Sequence, residues 1–196
     1  MLTLCIDTAY KYLTCALIKD SQILASKSLQ CFKKQSEELF NMLKDVYKQA
    51  NILPKDIDSI CISEGPGSYT GVRIAMTLAK VIGEELNIDV YTISTLRLYA
   101  ANNPNTMVIM NARANRAYVG IYDKNNILLD DCIKEINEIN IDGYNLIGDV
   151  SLFNGEDNFG DIANAFLKTK DVWHKVEKLA YLVPKYLKEN ESYLNV

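Results

Sequence analysis

The sequence predicts an α/β protein of two related lobes, and three observations carry that expectation. Short apolar runs with strand-like alternation are each followed by amphipathic helical segments. Three adjacent strands, then helix and strand in alternation, occur once in each half of the chain. The stretch Ile57 to Leu86 joins an apolar strand-like run to a glycine-rich turn and then to a long apolar helix.

Taken in order, Leu2 to Asp7 alternates like a strand, with Leu2, Leu4 and Ile6 on one face. Tyr12 to Ile18 and Ile23 to Leu29 are two more strands, separated by a polar turn at Lys19 to Gln22. A helix opens at Ser36, with Glu37 and Glu38 where its dipole prefers acids, and ends at Asn51 and Pro54. Leu39, Met42, Leu43, Val46 and Ala50 share one face of it, and Phe40 and Tyr47 form a second edge. After the central stretch come a strand, Ile88 to Ser94, and a short helix from Thr95 to Ala101.

Asn102-Asn-Pro-Asn105 is the clearest boundary, dividing an N-terminal lobe, residues 1–102, from a C-terminal lobe, residues 103–196. In the second lobe Thr106 to Met110, Ala117 to Asp123, Ile127 to Ile133 and Tyr144 to Ile147 read as strands. Ile162 to Lys168 and Trp173 to Leu182 read as helices. A duplicated β-β-β-α-β-α order is that of the actin-like ATPase (ribonuclease H-like) fold, which is the architecture expected here. The tail from Tyr186 to Val196 is mostly polar and reads as a frayed terminus or a short docking segment.

Composition narrows the function classes. With 48% hydrophobic and 23% charged residues the chain is ordinary for a soluble globular protein. A net charge of −4 supplies no basic field for holding a nucleic acid directly. Met1 leads straight into the first strand, so no signal peptide is expected, and no apolar run is long enough to span a membrane. Five scattered cysteines without a Cys-x-x-Cys pair suit a reducing, cytoplasmic setting. One histidine and no paired cysteines do not make up a usual zinc site.

The central stretch offers two readings. Gly65 and Gly67 flank Pro66 in a sharp turn, and Ser68 is placed to cap the following helix. A strand, a glycine-rich loop and a helix N-terminus can cradle phosphate. Such a site would draw on Asp7, Gly65, Gly67, Ser68, Thr70, Gly71 and Arg73, with Arg113 from the polar turn Asn111 to Arg116. The loop nevertheless ends Gly71-Val72-Arg73 instead of Gly-Lys-Ser/Thr, and position 70 is threonine where a dinucleotide loop needs glycine. Spacing alone favours a plain turn. On the helix, Gly71, Ala75, Ala79 and Gly83 recur every four residues and form a ridge of small side chains. Bulky residues flank that ridge, so either the core covers the helix completely or a partner covers what the core leaves, and pattern alone favours the core. No acid, base and nucleophile come together: His174 lies far in sequence from any nucleophile elbow.

Several motifs in fixed order resemble the TsaB (YeaZ) family. They are Ile6-Asp7-Thr8-Ala9, Gln35-Ser36-Glu37, Gly65-Pro-Gly-Ser-Tyr-Thr-Gly-Val-Arg-Ile74, Ser94-Thr-Leu96, and Asn111-Ala-Arg113 followed by Ala117-Tyr118. The glycine-rich stretch is the specific one, and the resemblance covers residues 1–123 well. Beyond that it rests on Ile147-Gly148-Asp149 and on Leu182-Val183-Pro184 with Tyr186-Leu187-Lys188. Gln35 and Asn111 stand where the family usually has histidine and aspartate, and the second lobe is short for the family.

The resemblance implies a non-catalytic partner of TsaD, required to make threonylcarbamoyladenosine at position 37 of tRNAs that read codons starting with A. It implies pairing through the first two helices, by way of Leu39, Leu43, Val46, Tyr69, Val72, Ala75, Met76, Ala79, Ile82 and Gly83, and so shifts the reading of the small-residue ridge toward a partner-covered one. On that reading Ala79→Arg abolishes the association and leaves the fold intact. It further implies TsaE as a third component, self-association through the same surface, tRNA contact only through the complex, and no cofactor held by this chain alone. The complex would use ATP, with the metal on TsaD. The alternatives are a glycoprotease-like hydrolase, which the absence of a histidine-based site disfavours, and a small nucleotide-binding kinase relative, which predicts ATP binding by the isolated chain.

Overall fold

The computed structural model describes residues 1–31 and 34–187, so most of the polar tail lies outside the described residues. Three parallel strands form the centre of a first sheet: β1 (Leu2–Asp7), β4 (Ser59–Ser63) and β5 (Asp89–Ile93). β2 (Tyr12–Lys19) and β3 (Gln22–Gln30) extend it antiparallel beyond β1, and β10 (His174–Lys175) closes the far edge. The order is β10-β5-β4-β1-β2-β3. Strand alternation divides the side chains between two cores. Leu4, Ile6, Leu13, Leu17, Ile60 and Ile62 enter one core, under the helices α1 (Gln35–Ala50) and α2 (Tyr69–Leu86). Cys5, Ala16, Ile18, Cys61 and Ile93 point to the opposite face, which packs against the second lobe. Each fully buried Leu or Ile contributes about 1.5–3 kcal/mol.

The helix ends follow the sequence. Ser68 Oγ accepts from Gly71 N at 3.2 Å and caps α2. Asn51 and Asn87, both left-handed, stop α1 and α2. α3 (Thr95–Ala100) is capped by Ser94 and α4 (Ile162–Lys168) by Asp161.

The second sheet contains β6 (Thr106–Arg113), β7 (Arg116–Asp123), β8 (Asn126–Glu135) and β9 (Asn145–Gly148), in the order β8-β7-β6-β9. β6 is antiparallel to β7 and parallel to β9, repeating the relation of β1 to β2 and β4. This duplicated β-sheet plan is the actin-like arrangement expected from element order. α3 and α4 lie between the two sheets, sharing a core with Tyr118, Tyr122 and Phe166.

Two expectations fail. No α-helix joins β8 to β9; a short 3-10 turn, Ile136–Glu138, takes its place. The connection is too short for a packed helix, and Gly143 and its polar neighbours break any period. Trp173 to Leu182 is not a helix either. Trp173 packs on Tyr91 and Phe166 in the interlobe core, whereas Val176, Leu179 and Leu182 join the core under α2. Residues needed on two different faces of a sheet cannot share one face of a helix, so the chain runs past the edge as β10 instead. Among the described residues no helix is long and apolar enough to cross a membrane.

Candidate functional site

The glycine loop is closed by the turn that follows β1. Ser68 N donates to Ala9 O at 2.7 Å, Thr8 Oγ1 donates to Gly71 O at 2.6 Å, and Ala75 N donates to Thr8 Oγ1 at 3.3 Å. A Cβ on Gly67 would lie 2.3 Å from Ala9 O, and one on Gly71 would lie 2.2 Å from Thr8 O. These two positions are glycine because another stretch of backbone occupies the space. Lys185 N donates to Glu64 O at 2.8 Å, so the segment after residue 182 lies against the loop as well.

Asp7 is fully buried, and its carboxylate accepts from Ala9 N at 3.0 Å, from Ser63 Oγ and from Tyr99 OH at 2.8 Å. Burial pushes its pKa up, against the opposing pull of those hydrogen bonds. It pins the ends of β1, β4 and α3 together, and its acceptor positions are spent on the fold. Ser68 acts as the α2 cap, Thr70 is exposed, and Arg73 lies on the surface with its guanidinium 4.2 Å from the Tyr69 ring centre. Arg73 Nε also donates to Tyr186 OH at 2.9 Å, and Tyr186 stacks on Tyr69 at 5.2 Å. Arg113 is exposed in the left-handed turn between β6 and β7.

The crevice between the lobes is filled from both sides. Tyr10 OH and Lys11 Nζ reach Asp149, which is buried, and Lys11 also pairs with Asp157 at 3.1 Å. Asn111 N donates to Asp149 Oδ2 at 2.6 Å, so Asn111 contributes its backbone where an acid was sought. Gln35 Nε2 donates to Tyr10 O at 2.8 Å and fixes the turn from the α1 side. Phe159 packs between Tyr10, Tyr12 and Tyr99, with Lys11 5.0 Å from its ring centre. Desolvation and the Asp149 charge push the Tyr10 phenol well above its ordinary pKa. His174 is exposed on β10, and among the described residues no His, Cys, Asp or Glu cluster could hold a metal.

The two helices place the expected pairing residues inward. Leu39, Leu43 and Val46 of α1 and Val72, Ala75, Met76, Ala79 and Gly83 of α2 are all buried in the chain's own core. This corrects the ridge. Ala75 and Ala79 are small because α2 lies directly on β1, β4 and β5, and Gly83 packs against Val90 and Leu179. Tyr69 and Ile82 are half-buried. Exposed apolar residues lie elsewhere on the same helices: Phe40 on α1 is 68% and Val81 on α2 60% exposed, and half-buried Ile74 and Leu78 line α2 with Val81. Positions 74, 78 and 81 share one face at helical spacing. A helix apolar nearly all round was the available signal; which side the sheet would take was not.

Comparison with known proteins agrees with this architecture. A family model described as "TsaD: tRNA N6-adenosine threonylcarbamoyltransferase" matches residues 29–140. The tRNA threonylcarbamoyladenosine biosynthesis protein TsaB of Bacillus subtilis (strain 168) is 32% identical over 141 residues, covering 70% of this chain and 62% of that one. The protein of the same description from Buchnera aphidicola subsp. Schizaphis graminum is 33% identical over 132 residues, covering 64% and 62%. The aligned stretch thus spans less than two thirds of either relative's length. The crystal structure of YeaZ from Pseudomonas aeruginosa superposes with a TM-score of 0.80 at 19% identity, over 95% of this chain and 99% of that one. The chain belongs to the family that this model describes, and within it to the TsaB (YeaZ) group.

Proposed function

We propose that this chain is a non-catalytic partner of TsaD, needed to attach the threonylcarbamoyl group to adenosine 37 of tRNAs reading codons that begin with A. The observation that carries the reading is the apolar stripe Ile74, Leu78 and Val81 on α2, together with exposed Phe40 on α1, on a chain of the TsaB group. Apolar residues gathered on one helical face cost solubility unless something covers them. The filled crevice between Tyr10, Lys11 and Asp149 supports a supporting role over an independent nucleotide-using one. On this reading TsaD carries the metal and the transfer chemistry, ATP is used by the complex, and TsaE joins the pair. The same face pairs two copies of this chain when TsaD is absent, and the setting is cytoplasmic.

The test is reconstitution. TsaD and TsaE of the same organism are mixed with the adenylate-forming enzyme, threonine, bicarbonate, ATP and unmodified tRNA, with and without this chain. Modified nucleoside is expected only when the chain is present. Equal modification without it would overturn the partner reading.

A further inference from the structure

A cavity of about 180 Å³ opens beside the carboxyl ends of β4 and β5, between the first sheet, β8 and the segment after residue 170. Open α/β sheets hold ligands outside the carboxyl ends of their strands. Glu64, Ser94, Arg97, Asp130, His174 and Lys185 supply its polar lining. Lys185 is already committed, with Nζ 2.9 Å from Asp131 and 3.6 Å from Asp130. Arg97 is only half committed. One terminal nitrogen donates to Asn125 O at 2.6 Å, while Nε is buried without a hydrogen-bond partner among the described residues. A buried donor left unmade is costly and calls for an explanation. Glu64 mirrors it: its carboxylate accepts no hydrogen bond among the described residues.

The charges select the ligand. A simple anion at Arg97 would face Glu64 and Asp130, and a simple cation at Glu64 would face Arg97 and Lys185. A molecule carrying both charges a few atoms apart satisfies the two open groups together. The volume admits a ligand of only a few heavy atoms. We propose that this cavity binds a small zwitterion of the α-amino acid class, its carboxylate on Arg97 Nε and its ammonium on Glu64.

His174 is the single histidine of the chain and lines the cavity, so its ring resonances report on that place alone. The whole chain is titrated at fixed pH and ionic strength with glycine, alanine, serine, acetate and methylammonium, and the His174 ring is followed by NMR. At least one amino acid is expected to shift it saturably, whereas acetate and methylammonium do not. Arg97→Met and Glu64→Gln are each expected to weaken the response about tenfold or more, because each leaves the opposite charge unpaired. Should one variant fail to fold, as judged by its amide spectrum, the other decides. No saturable shift with any amino acid, an equal response to acetate, or full response in a folded variant would overturn the assignment.

Discussion

Thr8 and Ala9 lie directly against the glycine loop, and that contact decides what several residues are for. Gly71→Ala would drive a methyl group to 2.2 Å from the Thr8 carbonyl oxygen, and neither backbone can yield freely. The expected loss is about 1–3 kcal/mol in urea denaturation; unchanged stability would contradict the closed loop. Ala79 shows the same logic in the core. With no exposed surface, Ala79→Arg buries an unpaired charge and is expected to cost about 3 kcal/mol or more, seen as lost cooperative melting. The ridge reading expected that variant to keep its fold. Composition and spacing could name the small residues, but a row of small side chains fits a sheet and a partner helix equally well. The cap at Ser68, the stop at Asn51 and the strand at β1 were legible because each depends on local chemistry alone.

Elements answer to contacts from distant parts of the chain, and there the sequence was less explicit. The span from Trp173 to Leu182 has helical spacing, yet its apolar residues are claimed by cores on two sides of one sheet. Joining β8 to β9 without a helix likewise reflects a short connection whose period Gly143 and its polar neighbours break. The turn after β1 closes the glycine loop on one side and reaches the other lobe on the other. Lys11 neutralises buried Asp149 and also holds Asp157. Lys11→Met is expected to cost roughly 2–3 kcal/mol, less than for a fully buried pair because Lys11 keeps some contact with water. The Asp157 carboxyl is held below its ordinary 3.8, first by Ser151 and then by Lys11. A depressed acid contributes stability above its unfolded value and loses it as pH falls through its folded one. The difference between wild type and Lys11→Met should therefore shrink once the pH falls below about 3.8. A difference independent of pH through that range would contradict the pairing of Lys11 with Asp157.

For the whole molecule, two duplicated sheets enclose a crevice that the chain fills with its own side chains, and the two helices leave Phe40 and Val81 exposed. The duplication was readable from the order of elements; the filled crevice was not, because Tyr10, Lys11, Asp149 and Asp157 meet only after both lobes close. The central claim is that association with TsaD uses the exposed apolar residues of α1 and α2, Phe40 and Val81, and not the buried ridge. It is tested most directly by measuring the affinity for TsaD of the wild-type chain and of a Phe40→Asp, Val81→Arg double variant, by calorimetry, with melting curves run alongside. Both substituted positions are exposed, so the double variant should melt as the wild type does and bind TsaD at least about tenfold more weakly. Wild-type affinity in a fully folded double variant would contradict the account.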